Sequence, residues 1–278
     1  ENHESKHRVY VWSEGLRIEN VEVPELKPNQ ILIKTKACGI CGSDVHCYLA
    51  SPLRPLRHCT VHAGSRGRRS GHRYRLGRFH LQGRRQGNRR VRSGLRPLRK
   101  LQGRPHASAC LNFRELGFRP DSPGGMGEYI VIEEEYAYKI PDDWSYDWGA
   151  WVETFSIGYF GIWGNGGYID ASDYALIMGA GPVGLSAAMV AKTSGAKVVV
   201  ADVNAVRRER ALKFGADVVL NPMDPDYYDQ IKEATDGHGP SVIAEASGSN
   251  AALAAIFDVA GHSCRVNLIG HSIGRKVP

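Results

Sequence analysis

The chain carries two rhythms of apolar and polar residues. From Arg8 to Thr35 short β-prone runs dominate. Val9-Tyr10-Val11-Trp12 and Ile31-Leu32-Ile33 are the clearest, with Leu26-Lys27-Pro28-Asn29-Gln30 as a turn between them. A further β-prone run, Glu128-Tyr129-Ile130-Val131-Ile132, follows Gly124-Gly125. Pro141-Asp142-Asp143 reads as a turn, and Trp148 to Trp163 reads as a helix. From Tyr174 the pattern changes to strand alternating with helix. Ala175 to Met178 is an apolar run ending in a glycine-rich turn, and a helix-like segment continues to about Ser194. Lys197 to Asp202 is a second buried strand, and a helix over Arg207–Phe214 precedes Val218-Val219-Leu220. Val242 to Glu245 and Arg265 to Ile269 are later strands. Near-continuous apolar strands joined by helical crossovers predict a parallel sheet covered on both faces. The fold class expected is therefore α/β, with a β-rich region first and a parallel-sheet region second.

Between these regions the pattern breaks. Ser51 to Ala109 holds seventeen Lys and Arg residues and no Asp or Glu. A charged stretch with so few apolar residues has little core with which to offset its ordering entropy, so this run is expected to lack stable order. It also supplies the whole positive balance. The chain carries a net charge of +7, but outside the run 19 basic residues face 29 acidic ones. Basicity read from the total suggests a nucleic-acid partner, yet only Tyr74 and Phe79 interleave the arginines and no recognition motif accompanies them. The expectation is no specific nucleic acid, with non-specific attraction of polyanions.

The 278 residues, 42% hydrophobic, allow one large or two ordinary domains and are enough to bury a real core. No segment approaches the roughly 18–20 apolar residues of a membrane helix, and no secretory leader is visible. Three of the six cysteines, Cys38, Cys41 and Cys47, crowd into ten residues, which suits metal chemistry better than a disulfide framework. A reducing, cytoplasmic compartment is expected.

Gly179-x-Gly181-x-x-Gly184 follows a strand and opens a helix. Such a spacing permits a tight turn, a close approach of backbone to pyrophosphate, and close packing of helix on strand. The helix N-terminus offers amide donors and partial positive charge to phosphates. Asp202 ends the next strand, where a carboxylate can accept bonds from ribose hydroxyls and repel a 2′-phosphate, favouring NAD. Arg207 either covers the adenosine side or is a solvated helix residue. The plain alternative for the whole motif is an α/β turn without a ligand.

Gly39-Ile40-Cys41-Gly42-Ser43-Asp44-Val45-His46 places a thiolate, a hydroxyl and an imidazole on one short segment. A catalytic zinc needs about three protein ligands and an open position. A route from Ser43 to His46 could carry an alcohol proton to solvent. A buried cysteine and a surface histidine are the plain alternative.

On these motifs, residues 8–50 and 111–278 resemble the zinc-containing medium-chain alcohol dehydrogenases, in particular their polyol (sorbitol or iditol) branch. The resemblance implies a GroES-like catalytic domain over 1–150 and a Rossmann NAD-binding domain over 151–278. It implies Cys41 as a catalytic-zinc ligand and Ser43 and His46 as the proton relay. Glu153, in Val152-Glu153-Thr154-Phe155-Ser156, stands where polyol members place an acid ligand. Gly179, Gly181, Val183, Gly184, Asp202 and Arg207 match the NAD site, and Leu268-Ile269-Gly270 match the strand end lining the nicotinamide. Zinc and NAD are the implied cofactors and a small alcohol the implied substrate. Homo-oligomers are implied for intact members. Cys47 departs from the pattern, since polyol enzymes often carry a substrate-contacting Tyr there and Tyr48 comes one place late.

The family's Gly-His-Glu and its four-cysteine structural zinc loop are absent from the written sequence. The basic run reads as a shifted frame of them. Displaced by one base, codons for Gly64-Ser65-Arg66-Gly67 can encode Gly-His-Glu, and those for Gly83 to Gly87 can encode Val-Gly-Asp-Arg. Codons for Leu95 to Gln102 can encode Cys-Gly-Pro-Cys-Glu-Ser-Cys, and seven further shifted residues lead to Cys110 as the fourth zinc ligand. The chain also reads as cut short, one strand before a complete six-stranded sheet. Two expectations compete. One is an NAD- and zinc-dependent polyol dehydrogenase whose present copy has weak or no activity. The other is a non-catalytic or zinc-free, reductase-like relative whose arginine-rich segment binds polyanions.

Overall fold

A computed structural model describes residues 4–12, 15–22, 25–45, 63–69, 72–77, 124–134, 137–163 and 167–270. The chain divides into two compact units, Glu1–Glu153 and Thr154–Pro278.

In the N-terminal unit, β1 (Glu4–Trp12) and β2 (Gly15–Glu22) form an antiparallel pair. The sequence pattern found only the end of β1 and missed β2, which the polar residues Arg17, Glu19 and Asn20 disguise. A four-stranded antiparallel sheet runs in the order β5-β4-β3-β6, with β3 at Gln30–Cys38, β4 at Ala63–Arg69, β5 at His72–Gly77 and β6 at Tyr129–Glu133. Side chains alternate across a strand, so Ile31 and Ile33 of β3 share a face with their partners Ile132 and Ile130 of β6, and all four are buried. Each buried isoleucine contributes about 1.5–3 kcal/mol. The opposite face of β3 carries Lys34 and Lys36 at solvent-exposed positions.

β4 and β5 lie inside the basic run, which composition predicts to be without stable order. The difference has a backbone cause. β4 pairs antiparallel with β3 along Leu32–Cys38, and β5 pairs with β4. Adding a strand to a sheet edge satisfies main-chain donors and acceptors whatever the side chains are. The other residues of the run, Cys110 at its border and His46 lie outside the described residues.

Helix α1 (Tyr146–Trp163) spans the boundary between the units. In the C-terminal unit, β7 (Tyr174–Met178), β8 (Lys197–Ala201), β9 (Val218–Leu220), β10 (Val242–Glu245) and β11 (Arg265–Leu268) form one parallel sheet in the order β11-β10-β7-β8-β9. α2 (Pro182–Thr193), α3 (Ala205–Lys213), α4 (Tyr227–Ala234) and α5 (Asn250–Val259) are the crossovers. Alternate strand residues feed two apolar layers. Ala175, Ile177, Val198, Val200, Val242 and Ala244 pack with α2 and the end of α1. Leu176, Met178, Val199, Ala201 and Ile243 pack with α4 and α5. Both layers explain the nearly unbroken apolar strands. The sequence pattern passed over α4 and α5, although Tyr227, Ile231 and Ala234 keep a helical spacing on one buried face.

Chain order fixes where this sheet has its crevice. From β7 the chain winds through β8 to β9, then returns to β10 on the other side of β7. The carboxyl ends of β7 and β10 therefore flank a topological switch point, where open α/β sheets place ligands. No helix among the described residues is long and apolar enough to cross a membrane.

Candidate functional site

The loop from β7 to α2 assigns each of its three glycines a separate constraint. Gly179 holds φ +104°, and a Cβ there would stand 2.9 Å from the Ser247 amide nitrogen. A side chain is strained by that φ and crowded by that neighbour. At Gly184 a Cβ would lie 1.8 Å from the Gly179 carbonyl oxygen, so only hydrogen lets α2 settle against the end of β7. At Gly181 a Cβ would meet nothing within 4 Å. That open side of the loop is the cradle a pyrophosphate would fill. Gly181 is the N-cap of α2 and Pro182 takes the first helical position, where a missing N–H costs nothing. Leu185 closes the first helical bond, onto the Gly181 carbonyl at 2.9 Å. The amides of Val183 and Gly184 before it have no intrahelical acceptor and stand at the positive end of the helix. The chain's own residues fit a dinucleotide at this loop.

Asp202 is buried at the end of β8. One carboxylate oxygen accepts the Ala180 amide at 2.8 Å, and the other accepts the Asn204 amide at 2.8 Å. The acid thus ties the glycine loop to the start of α3, a role its sequence position did not suggest. Each carboxylate oxygen can accept more than one bond, so a ribose diol remains compatible. The Arg207 guanidinium is 3.8 Å from the Asp202 carboxylate and more than half exposed. Arg208, which sequence reasoning passed over, donates to the Asp202 carbonyl at 2.7 Å. Asn204 caps α3 by accepting the Arg207 amide at 3.1 Å, which starts the helix two residues before the periodicity suggests.

At the other strand end, Ile269 and Gly270 both donate their amides to the Glu245 carbonyl at 2.8 Å. Leu268 is exposed. Ile269 packs on the core and on α1, where a Cβ at Gly161 would meet it at 2.2 Å. Gly270 passes against Gly248, whose nitrogen a Cβ would approach to 2.3 Å.

In the N-terminal unit, Cys41 precedes a helical turn at 42–45. Its amide donates to the Asp44 carboxylate at 2.6 Å, while the Asp44 and Val45 amides return to the Cys41 carbonyl at 3.1 and 3.3 Å. An acid three residues into a helix reaching back to the cap amide makes one half of a capping box. Asp44 is buried and fixes the backbone that carries Cys41 and Ser43. Glu153 is buried on α1. Among the described residues no group of three His, Cys, Asp or Glu side chains could hold a metal ion. Those residues alone do not complete a zinc site.

Residues 182–277 match the family described as zinc-binding dehydrogenase. The chain is 33% identical over 261 residues to a scyllo-inosose 3-dehydrogenase of Thermotoga maritima, covering 84% of this chain and 63% of that protein. It is 32% identical over 243 residues to an (R,R)-butanediol dehydrogenase of Bacillus subtilis, covering 84% of this chain and 68% of that protein. The chain therefore spans about two thirds of the length of these relatives. The alcohol dehydrogenase of Thermus sp. ATN1 shares its fold, with a TM-score of 0.79 over 98% of this chain and 79% of that one at 24% identity. The relatives are dehydrogenases by name, and solved structures of this fold carry NADH in one case and NADP in another. The chain belongs to the zinc-binding, medium-chain alcohol dehydrogenase family.

Proposed function

We propose that the C-terminal unit binds NAD and that the chain's ancestral reaction is oxidation of a secondary alcohol to a ketone. The observation that carries this reading is the glycine loop at the switch point, open at Gly181, rooted at Gly184 and tied by Asp202. The α2 amides of Val183 and Gly184 would hold the pyrophosphate, and Asp202 would accept the adenosine ribose hydroxyls and disfavour a 2′-phosphate. Leu268, Ile269 and Gly270 would border the nicotinamide, Gly270 by main-chain approach. Bound NAD supplies the hydride acceptor. The alcohol carbon would lose hydride and the hydroxyl its proton, giving ketone, NADH and a proton. Ser43 and His46 would pass that proton to solvent.

A polyol is the substrate class preferred. The relatives named for butanediol and inosose act, by those names, on secondary hydroxyls beside a second oxygenated carbon. Cys41 and Glu153 are the candidate zinc ligands, and Cys110 the candidate fourth ligand of a structural zinc. The sequence contains no Gly-His-Glu to supply the histidine. We therefore infer binding of NAD with weak or absent turnover, and a frame shift over 51–109 as the cause.

Titration with NADH followed by its fluorescence, then assays of sorbitol and butane-2,3-diol with NAD and NADP, test these readings. NADH binding without turnover is expected. No NADH binding would refute the cofactor reading, and an alcohol-dependent rate abolished by a chelator would refute the loss of activity. Coding DNA across codons 45–115 is expected to show two compensating single-base changes, and an unshifted frame would refute that cause.

A further inference from the structure

β10 is apolar through Val242, Ile243 and Ala244, and then ends in an acid that no solvent reaches. Glu245 pairs with Met178 of β7 on one side and with Leu268 of β11 on the other. It therefore stands at the carboxyl end of a strand that flanks the switch point. An acid is a costly residue for a core: a buried carboxylate loses several kcal/mol of hydration unless donors replace it. A well-packed apolar residue would serve stability better, so the donors that Glu245 collects indicate what it does.

They all come from one turn. One carboxylate oxygen accepts the Ser247 amide at 2.8 Å, the Ser247 hydroxyl at 2.5 Å and the Gly248 amide at 2.9 Å; the other accepts Gly248 again at 3.2 Å. That turn is wedged between the two halves of the candidate cofactor site. On one side the Ser247 backbone lies where a Cβ on Gly179 would strike it, and Ala246 donates to the Met178 carbonyl at 2.8 Å. On the other side Gly270 passes close to Gly248 and to the second carboxylate oxygen, and the Glu245 carbonyl receives the amides of Ile269 and Gly270. One residue thus holds, through its side chain, the turn beside the pyrophosphate loop and, through its main chain, the strand end assigned to the nicotinamide.

We propose that Glu245 is a positioning residue of the dinucleotide site, holding the Ser247–Gly248 turn so that Gly179 and Gly270 stay in register for the cofactor. This rests on the NAD reading above. It acts by reach and acceptor geometry, since one oxygen takes three of its four contacts. The amide of Glu245→Gln keeps an acceptor at that place. Glu245→Asp keeps the charge but withdraws the acceptor by about 1.5 Å, one carbon–carbon bond.

The test is the NADH dissociation constant of the full chain carrying E245A, E245D or E245Q, with amide hydrogen exchange followed at 246–248, all well below each variant's melting temperature. E245A and E245D are expected to weaken NADH about tenfold or more and to speed exchange in the turn, while E245Q stays within about threefold of the parent. An electrostatic or purely stabilising role predicts the opposite order, with Asp above Gln. That order, or E245D binding within twofold of the parent, overturns the proposal and leaves the NAD reading intact. A parent chain that binds no NADH overturns both. Should E245A fail to fold, the ranking of E245D against E245Q decides.

Discussion

The two units contrast in how their candidate chemistry is carried. In the C-terminal unit a single loop, three glycines and one acid lie between consecutive elements, and each contact that shapes the loop is made within that unit. In the N-terminal unit the candidate groups are spread along the chain: Cys41 and Ser43 at one helical turn, Glu153 on α1, and seventeen positive charges in the sequence between them. A site built from adjacent elements survives damage elsewhere, because its geometry depends on local packing. A site assembled from distant segments depends on every intervening residue. The contrast is therefore a contrast in fragility, and it yields an expectation: cofactor binding outlasts metal-dependent chemistry.

The largest effect expected is at Gly184. Gly184→Val forces atoms into the Gly179 carbonyl, where even a Cβ would stand at 1.8 Å. Loss of NADH binding is predicted, with at least about 1–3 kcal/mol of destabilisation from overpacking. Retained binding would break the assignment of the cofactor to this unit. Next, Ile33→Ala is predicted to cost about 2–5 kcal/mol by opening a cavity on the buried face of β3 and β6, beside Ile130. If the units are separately stable, calorimetry will show one transition moving and NADH affinity unchanged. Asp202→Asn should weaken NADH about tenfold and narrow the preference over NADPH, because it loses charge opposite the ribose and a clean acceptor for Ala180 or Asn204. Equal affinities before and after would leave Asp202 a purely structural tie. Binding of heparin should be strong at low salt and fall steeply as salt rises, for any polyanion sequence. A salt-insensitive or sequence-selective complex would overturn the reading of the basic run as a non-specific one.

The smallest effect concerns acid. Desolvation raises the Asp217 carboxyl, but its bond from Lys192, the Val198 amide and the charges of Lys192 and Lys197 outweigh this and lower it. A lowered folded pKa contributes stability above the unfolded value, about 3.9, and loses it as pH falls through the folded value. Asp217→Asn should therefore cost at most about 1 kcal/mol at neutral pH, since the Lys192 pair is largely solvated, and nothing at the acid extreme. Thermal melts at neutral pH and below pH 3 check this, and a penalty that persists in acid would argue against the ion pair.

The α/β class was legible because β7, β8 and β10 are buried on both faces and so read as unbroken apolar runs. α4 and α5 were equally readable from the spacing of Tyr227, Ile231 and Ala234 and from Ser249 ahead of Asn250, but short helices between stronger strand patterns are easily passed over. β4 and β5 were not legible, since their pairing with β3 uses main-chain groups that every sequence possesses. Asp44 left a capping-box spacing after Cys41 that could have been read. Glu245 left no such trace beyond a charge at the end of an apolar strand.

The strand–glycine loop–helix order, the acid at the end of β8 and the break in charge at 51–109 are written in the chain, because these depend on neighbouring residues. Folding alone makes Asp202 tie the glycine loop, brings β10 back beside β7 to form the switch point, and sets the turn held by Glu245 between Gly179 and Gly270. Apart from the short bonds of Glu245 to Ser247 and Gly248, those relations join residues tens of positions apart. No local propensity encodes them, and they arise when burial brings a charged group and its donors into the same small volume.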